Sequence, residues 1–236
     1  MNILDGKTAF ISGATGAIGK SIAYALAERG CNLFLTSTNN KSLEELIELL
    51  SQYEITVTAF SGDLTSKKDV SKIIDAAKIY KSIDILVNSA GVFPNINLFD
   101  TSDDDFENTL NINIRSAFMF TRAFAVEMVK NEWGRIVNIG SSSAYSGFQN
   151  TSVYCASKHA LLGFSRAIHD ELKENNVRTY FISPSSTKSK IGLETIGQDY
   201  STFLDPEDIA KYVVFAISFD SNIMSEEIFL KRRIIR

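Results

Sequence analysis

Two kinds of hydrophobic spacing alternate along this chain of 236 residues. Short runs rich in β-branched and aromatic residues predict strands at Thr8–Ile11, Asn32–Thr36, Ile55–Phe60, Ile83–Asn88, Arg135–Ile139, Val177–Ile182 and Glu227–Leu230. Longer stretches with helical periodicity predict helices near 18–29, 41–51, 67–80, 103–131, 153–175 and 206–218. Segments such as Asp84-Ile85-Leu86-Val87-Asn88 and Ile136-Val137-Asn138-Ile139 are continuously apolar rather than alternating, so both of their faces should be covered. Strands separated by helices require right-handed crossovers, which build a parallel sheet with helices on both sides. The expected fold class is α/β, a single doubly wound domain over residues 1–236 with about seven parallel strands. No repeat, low-complexity tract or linker divides it.

Start signals agree with two of these helices. Thr101-Ser102 precedes Asp103, Asp104 and Asp105, and acids in a first turn complement the positive end of the helix dipole. Asp205-Pro206-Glu207-Asp208 repeats the device, with Pro206 at a first-turn position where its missing N–H costs nothing.

Composition narrows the class without naming a function. Hydrophobic residues at 44% and charged residues at 22% are ordinary for a globular chain. A net charge of −4 gives no electrostatic reason to expect nucleic acid as a partner. The basic end, Lys231-Arg232-Arg233 and Arg236 interleaved with Ile234 and Ile235, reads as a solvated tail. Cys31 and Cys155 lie in apolar surroundings without metal-ligand spacing, so both read as small core residues and no metal site is expected. No run approaches 18 consecutive apolar residues, and no charged-then-apolar leader pattern precedes Gly6 and Lys7. The expectation is a cytoplasmic protein without a membrane partner.

Candidate chemistry begins where the first strand runs into Ser12-Gly13-Ala14-Thr15-Gly16-Ala17-Ile18-Gly19-Lys20 and a helix opens. Glycines at such a turn let backbone approach a pyrophosphate, and the free N–H groups of the helix start favour its charge. The other feature is Tyr154 four residues before Lys158. That interval is about 400° of helical rotation, so both side chains leave on one side.

The glycine turn resembles the TGxxxGxG pattern of the classical short-chain dehydrogenase/reductase family, with Ser12 for the threonine and Ala17 for the middle glycine. Asp63-Leu64, Asn88-Ser89-Ala90-Gly91 and Asn113 follow in the family's order, and Ser141 stands thirteen residues before Tyr154, as in its catalytic signature. The resemblance spans residues 6 to about 219 and implies a Rossmann-like fold and NAD(P)-dependent oxidoreduction of a ketone or secondary alcohol. It implies catalytic roles for Ser141, Tyr154, Lys158 and Asn113, with Asn113 helping to complete a proton relay through water. It implies cofactor contacts at Gly13, Thr15, Gly16, Ile18, Gly19, Thr38, Asp63, Leu64, Asn88, Ala90, Gly91, Tyr154, Lys158 and Thr187.

These residue types suit that reaction. Hydride delivery to a carbonyl carbon turns its oxygen into an alkoxide, which needs a proton. Tyr154 can give it, and Ser141 can polarise the oxygen. A free phenol ionises at about 10, so use of the phenolate near neutral pH calls for lowering that by about 3, worth about 4 kcal/mol. Lys158 on the same face is the cation expected to do so.

NAD-dependent enzymes of this fold usually carry an acid at the end of the second strand. Here Thr36-Ser37-Thr38-Asn39 holds none, and Lys41 follows, which favours NADP(H) over NAD(H). A substrate loop is expected around 185–205, mixing Lys188 and Lys190 with Ile191, Leu193, Ile196, Tyr200 and Phe203. Overall the chain is similar to 3-oxoacyl-(acyl-carrier-protein) reductases and related carbonyl reductases, while its tail looks more like those of hydroxy-acid and serine dehydrogenases. A small-molecule carbonyl or alcohol substrate and a homotetramer or homodimer are implied. Phe118, Phe120, Phe124, Leu161, Leu162 and Phe164 are the apolar residues expected to face outward at the interface. The competing readings are a non-catalytic dinucleotide-binding redox sensor and a hydroxy-acid/serine-type or sugar-modifying dehydrogenase of the same family.

Overall fold

The computed structural model describes residues 2–193 and 197–233. Ile196 of the substrate loop, and Ile234, Ile235 and Arg236 of the tail, lie outside the described residues. The seven strands are β1 (Thr8–Ser12), β2 (Asn32–Ser37), β3 (Val57–Ser61), β4 (Ile85–Asn88), β5 (Gly134–Ile139), β6 (Val177–Pro184) and β7 (Glu227–Leu230). They form one parallel sheet in the order β3-β2-β1-β4-β5-β6-β7. The helices are α1 (Ala17–Ala27), α2 (Asn40–Leu50), α3 (Lys67–Ala77), α4 (Asp103–Leu110), α5 (Ser116–Lys130), α6 (Ser152–Leu172), α7 (Lys190–Leu193) and α8 (Pro206–Ile217).

The continuous apolar runs make sense in this sheet, because successive side chains enter opposite cores. Ala9, Ile11, Leu33, Leu35, Ile85 and Val87 pack with α1, α2 and α8 residues such as Ile22, Leu46 and Val213. Phe10, Phe34, Leu86 and Ile136, one residue out of step, pack with Val70, Phe120 and Met128 on α3 and α5. Phe10 is the centre of the second layer, 5.3 Å from the Phe34 ring centroid and 4.7 Å from that of Phe120.

Strand order reverses beside β1, which has β2 on one side and β4 on the other. In open α/β sheets the crevice outside the carboxyl ends of the strands at such a point binds the ligand. At the opposite edge Arg135 is completely buried and donates to the carbonyls of Gly134, Asn176 and Phe219 and to Asp220 Oδ1.

Three features depart from the sequence pattern. The helix expected over 103–131 is interrupted by a π turn at Asn111–Arg115. β6 extends to Pro184, and the short helix α7 follows it. Phe120, Phe124, Leu161 and Leu162 do not face outward but are buried, at 0%, 8%, 2% and 5% exposure. Phe118 on the same run is exposed, as are Phe106 and Val126. Cys31 and Cys155 are buried free thiols, as expected. No described helix is long and apolar enough to cross a membrane.

Candidate active site

Nearly every residue singled out in the sequence falls at the carboxyl edge. Gly13 follows β1, Thr38 follows β2, Asp63 follows β3, Ala90 and Gly91 follow β4, Ser141 follows β5 and Thr187 follows β6. Tyr154 and Lys158 reach this edge from α6, and Asn113 from the π turn.

Gly13 adopts φ +66°, and a methyl there would lie 2.7 Å from Ala90 Cα, so only glycine lets the turn close against β4. A methyl on Gly19 would fall 2.3 Å from the Gly13 carbonyl oxygen, which requires glycine in the first turn of α1. The turn is then tied sideways: Ala14 N–H donates to Thr36 O at 3.0 Å, and Thr15 Oγ1 and Ser37 Oγ share a hydrogen at 2.6 Å. The α1 start has no acid in its first turn and no side-chain cap, whereas Asn39, Ser66, Ser102 and Asp205 cap α2, α3, α4 and α8. Gly16 is exposed and Ile18 is partly so. Backbone donors at a dipole's positive end, free of any acid of the chain's own, fit a pyrophosphate.

The departures from the family motif have local explanations. Ser89, where the pattern carries asparagine, donates from its hydroxyl to Ser12 O at 2.5 Å and joins the ends of β4 and β1. Asn88 turns away from the crevice: its amide donates to Asn138 Oδ1, whose own amide donates to Ser165 Oγ, each at 2.8 Å. Leu64 is buried in the second core layer, and Asp63 accepts from the N–H and hydroxyl of Thr65. At the end of β2, Thr36 Oγ1 is buried without a partner, Thr38 is exposed, and Asn39 is spent on capping α2. Lys41 is exposed and 4.0 Å from Glu45.

The catalytic candidates converge around Gly91. A methyl there would sit 3.5 Å from Asn113 Oδ1 and 3.7 Å from Lys158 Nζ. Lys158 is 4% exposed, and its ammonium donates to Ile139 O at 2.9 Å. Ser141 Oγ accepts from the Ser143 N–H at 3.1 Å, and its hydroxyl hydrogen-bonds the Tyr154 phenol. Phe93 stands edge-on to the Tyr154 ring, with centroids 4.8 Å apart.

Two expectations change here. Lys158 does not lower the Tyr154 phenol: burial pushes it up to about 12, although hydrogen bonding from Ser141 favours the phenolate. The ammonium is turned to Ile139 O, lies 5.8 Å from the phenol ring centroid, and is itself brought down to about 8 by burial. Desolvation thus dominates both groups and keeps the phenol protonated at neutral pH. The Asn113 side chain is also not free for a relay. Its Oδ1 accepts from Val92 N–H at 2.9 Å, while its amide donates to Val92 O at 3.1 Å and Ser157 Oγ at 3.0 Å.

Val92, Phe93 and Ser157 therefore belong to the site although the sequence reading passed over them. Pro94 was the available signal, because a residue before proline is held extended. With Val92 clamped by Asn113 and Pro94 following, the backbone that carries the Phe93 ring is restrained on both sides.

Comparison with known proteins places this arrangement. The family model for short chain dehydrogenases matches residues 7–198. A 3-oxoacyl-(acyl-carrier-protein) reductase of Rickettsia felis is 31% identical over 91% of this chain and 90% of its own. An uncharacterized oxidoreductase of Staphylococcus aureus is 28% identical over 98% of this chain and 99% of its own. Among solved structures, a short chain dehydrogenase/reductase family protein superposes with a TM-score of 0.87 at 30% identity, covering 97% of each chain. A metagenomic short-chain oxidoreductase in complex with NADP shares the fold, with a TM-score of 0.86 at 24% identity over 98% of this chain and 99% of that one. This chain belongs to the short-chain dehydrogenase family and is an NAD(P)-dependent oxidoreductase.

Proposed function

We propose that the chain reduces a ketone with NADPH, and runs the reverse oxidation of a secondary alcohol, with Tyr154 as the proton donor. The observation that carries this reading is the convergence of Ser141, Tyr154 and Lys158 beside an uncapped helix start at the strand-order reversal. When bound, the cofactor supplies the hydride. The first-turn N–H groups of α1 would hold its pyrophosphate, and Lys158 would hydrogen-bond its nicotinamide ribose. Tyr154, protonated at neutral pH, gives its proton to the substrate oxygen as negative charge develops there. Ser141, which hydrogen-bonds Tyr154, would turn its hydroxyl to the same oxygen and prepare it for hydride arrival.

NADP is the preferred cofactor in this reading. No carboxylate at Thr36–Asn39 repels a 2′-phosphate, while Thr38 and Lys41 stand exposed nearby. NADP is named with the metagenomic neighbour and with a 3-oxoacyl (acyl-carrier-protein) reductase of Agrobacterium tumefaciens that has the same fold. Fluorescence titration should give a lower dissociation constant for NADPH than for NADH; the opposite order removes this part of the proposal.

For substrate, a 3-oxoacyl thioester or a similar ketone with an apolar flank is supported by the Phe93 ring at Tyr154 and by exposed Leu98, Phe99 and Phe148. The last three lie on two loops joined by the Ile96 N–H to Asn150 O bond of 2.8 Å. NADPH oxidation measured against 3-oxoacyl thioesters, keto-sugars and 3-oxo acids should be fastest with the thioesters. Faster turnover of a keto-sugar would reassign the substrate class.

A further inference from the structure

We infer that Arg232 is a positioning residue that fixes the substrate loop over the carboxyl edge, an inference that rests on the catalytic reading above. The sequence suggests a solvated basic tail, but Arg232 is built into the fold. Its backbone N–H donates to Ser185 Oγ at 3.2 Å, and Ser185 N–H in turn donates to Leu230 O at 2.8 Å. Its guanidinium donates to Thr202 Oγ1 at 3.1 Å and to Gln198 Oε1 at 2.5 Å, and lies 4.9 Å from the Phe203 ring centroid. Gln198 Oε1 also accepts from Ser186 Oγ at 3.0 Å. One side chain thus gathers three residues of the returning arm, while its own backbone holds the outgoing one.

Among the described residues, backbone hydrogen bonds also join the two arms. Leu204 N–H donates to Ser186 O and Lys188 N–H to Leu204 O, both at 2.9 Å. The Lys188–Asp205 pair, at 3.4 Å and with side chains 40% and 46% exposed, adds little because solvent screens it. The loop leaves β6 directly beside β5, where Ile182 pairs with Ile139 two residues before Ser141. The arms that Arg232 gathers therefore stand next to the residues that would meet the substrate oxygen. A planar fork stacked on Phe203 and reaching two acceptors is a task that a lysine ammonium performs poorly.

Hydrogen-exchange mass spectrometry on the full chain, with steady-state kinetics, tests this. Arg232→Ala should speed exchange of the peptide covering 197–205 at least tenfold. The ketone KM should rise about tenfold, with kcat and the NADPH dissociation constant within twofold of wild type. Arg232→Lys should recover less than half of the exchange protection. Gln198→Ala should reproduce part of both effects and add nothing when combined with Arg232→Ala. Unchanged exchange and KM in Arg232→Ala, full recovery by lysine, or additive effects in the double variant would each overturn the inference. Exchange is read without turnover, so loss of protection in a protein that reduces no ketone would defeat the proposed activity and leave the loop-holding role standing.

Discussion

Lys158 sits where folding has to bury an ammonium. Its ordinary value of 10.5 is brought to about 8 by desolvation, so it favours folding fully only above 10.5 and that favour is lost as pH falls through 8. Below pH 8 the charged form is held at a cost of about 3 kcal/mol. Lys158→Met should therefore melt at a higher temperature than wild type at pH 7, with the gap closing towards pH 10, and should abolish ketone reduction. Calorimetry at the two pH values checks the sign; a lower melting temperature at pH 7 would show that the ammonium stabilises. Tyr154 runs the other way: raised from 10 to about 12, it favours folding below pH 10 and loses that favour as pH climbs. The residue types were legible because proton donation and phosphate binding restrict them to few side chains at fixed intervals. The ionisation was not, because it depends on burial, which the Tyr154 and Lys158 interval does not encode.

Among elements, the π turn at Asn111–Arg115 decides how the site is held. One extra residue in a turn rotates everything beyond it by about 100°. The hydrophobic pattern of 103–131 announces a helix but conceals that rotation; Phe120 and Phe124 beyond it point inward, although the family resemblance implied an outward interface there. The same turn brings Asn113 to Val92 and Ser157. Asn113→Leu should leave these polar groups unpaired, at about 1–3 kcal/mol each. Lower melting temperature, slower reduction and retained secondary structure by circular dichroism are expected. A variant as stable and active as wild type would remove the clamp from the account. Other elements were legible to within a few residues, since continuous apolar runs separated by amphipathic helices admit few arrangements besides a covered parallel sheet.

Over the whole molecule, the two edges of the sheet divide the labour. The carboxyl edge carries the turn, Ser141 and the loop, while the amino edge is closed by buried Arg135 and its four oxygen acceptors. Arg135→Met should lower the melting temperature by removing that network, and the folded fraction should keep the wild-type KM; a changed KM would mean that the edges communicate. Exposed Phe106, Phe118 and Val126, 46%, 42% and 53% accessible, support the proposal that α4 and α5 meet another copy of the chain. Solution scattering should then return two or four times 26.1 kDa, and a monomeric mass would end that proposal.

The central claim is that Tyr154 delivers the proton, and its phenol oxygen can be removed without disturbing the ring that meets Phe93. In Tyr154→Phe, single-turnover NADPH oxidation with a reducible ketone should fall by about 10²–10⁴-fold, the span that general acid catalysis contributes. NADPH binding followed by fluorescence should stay within about twofold of wild type, because the pyrophosphate site at α1 is untouched. A Tyr154→Phe protein that oxidises NADPH as fast as wild type would contradict the account.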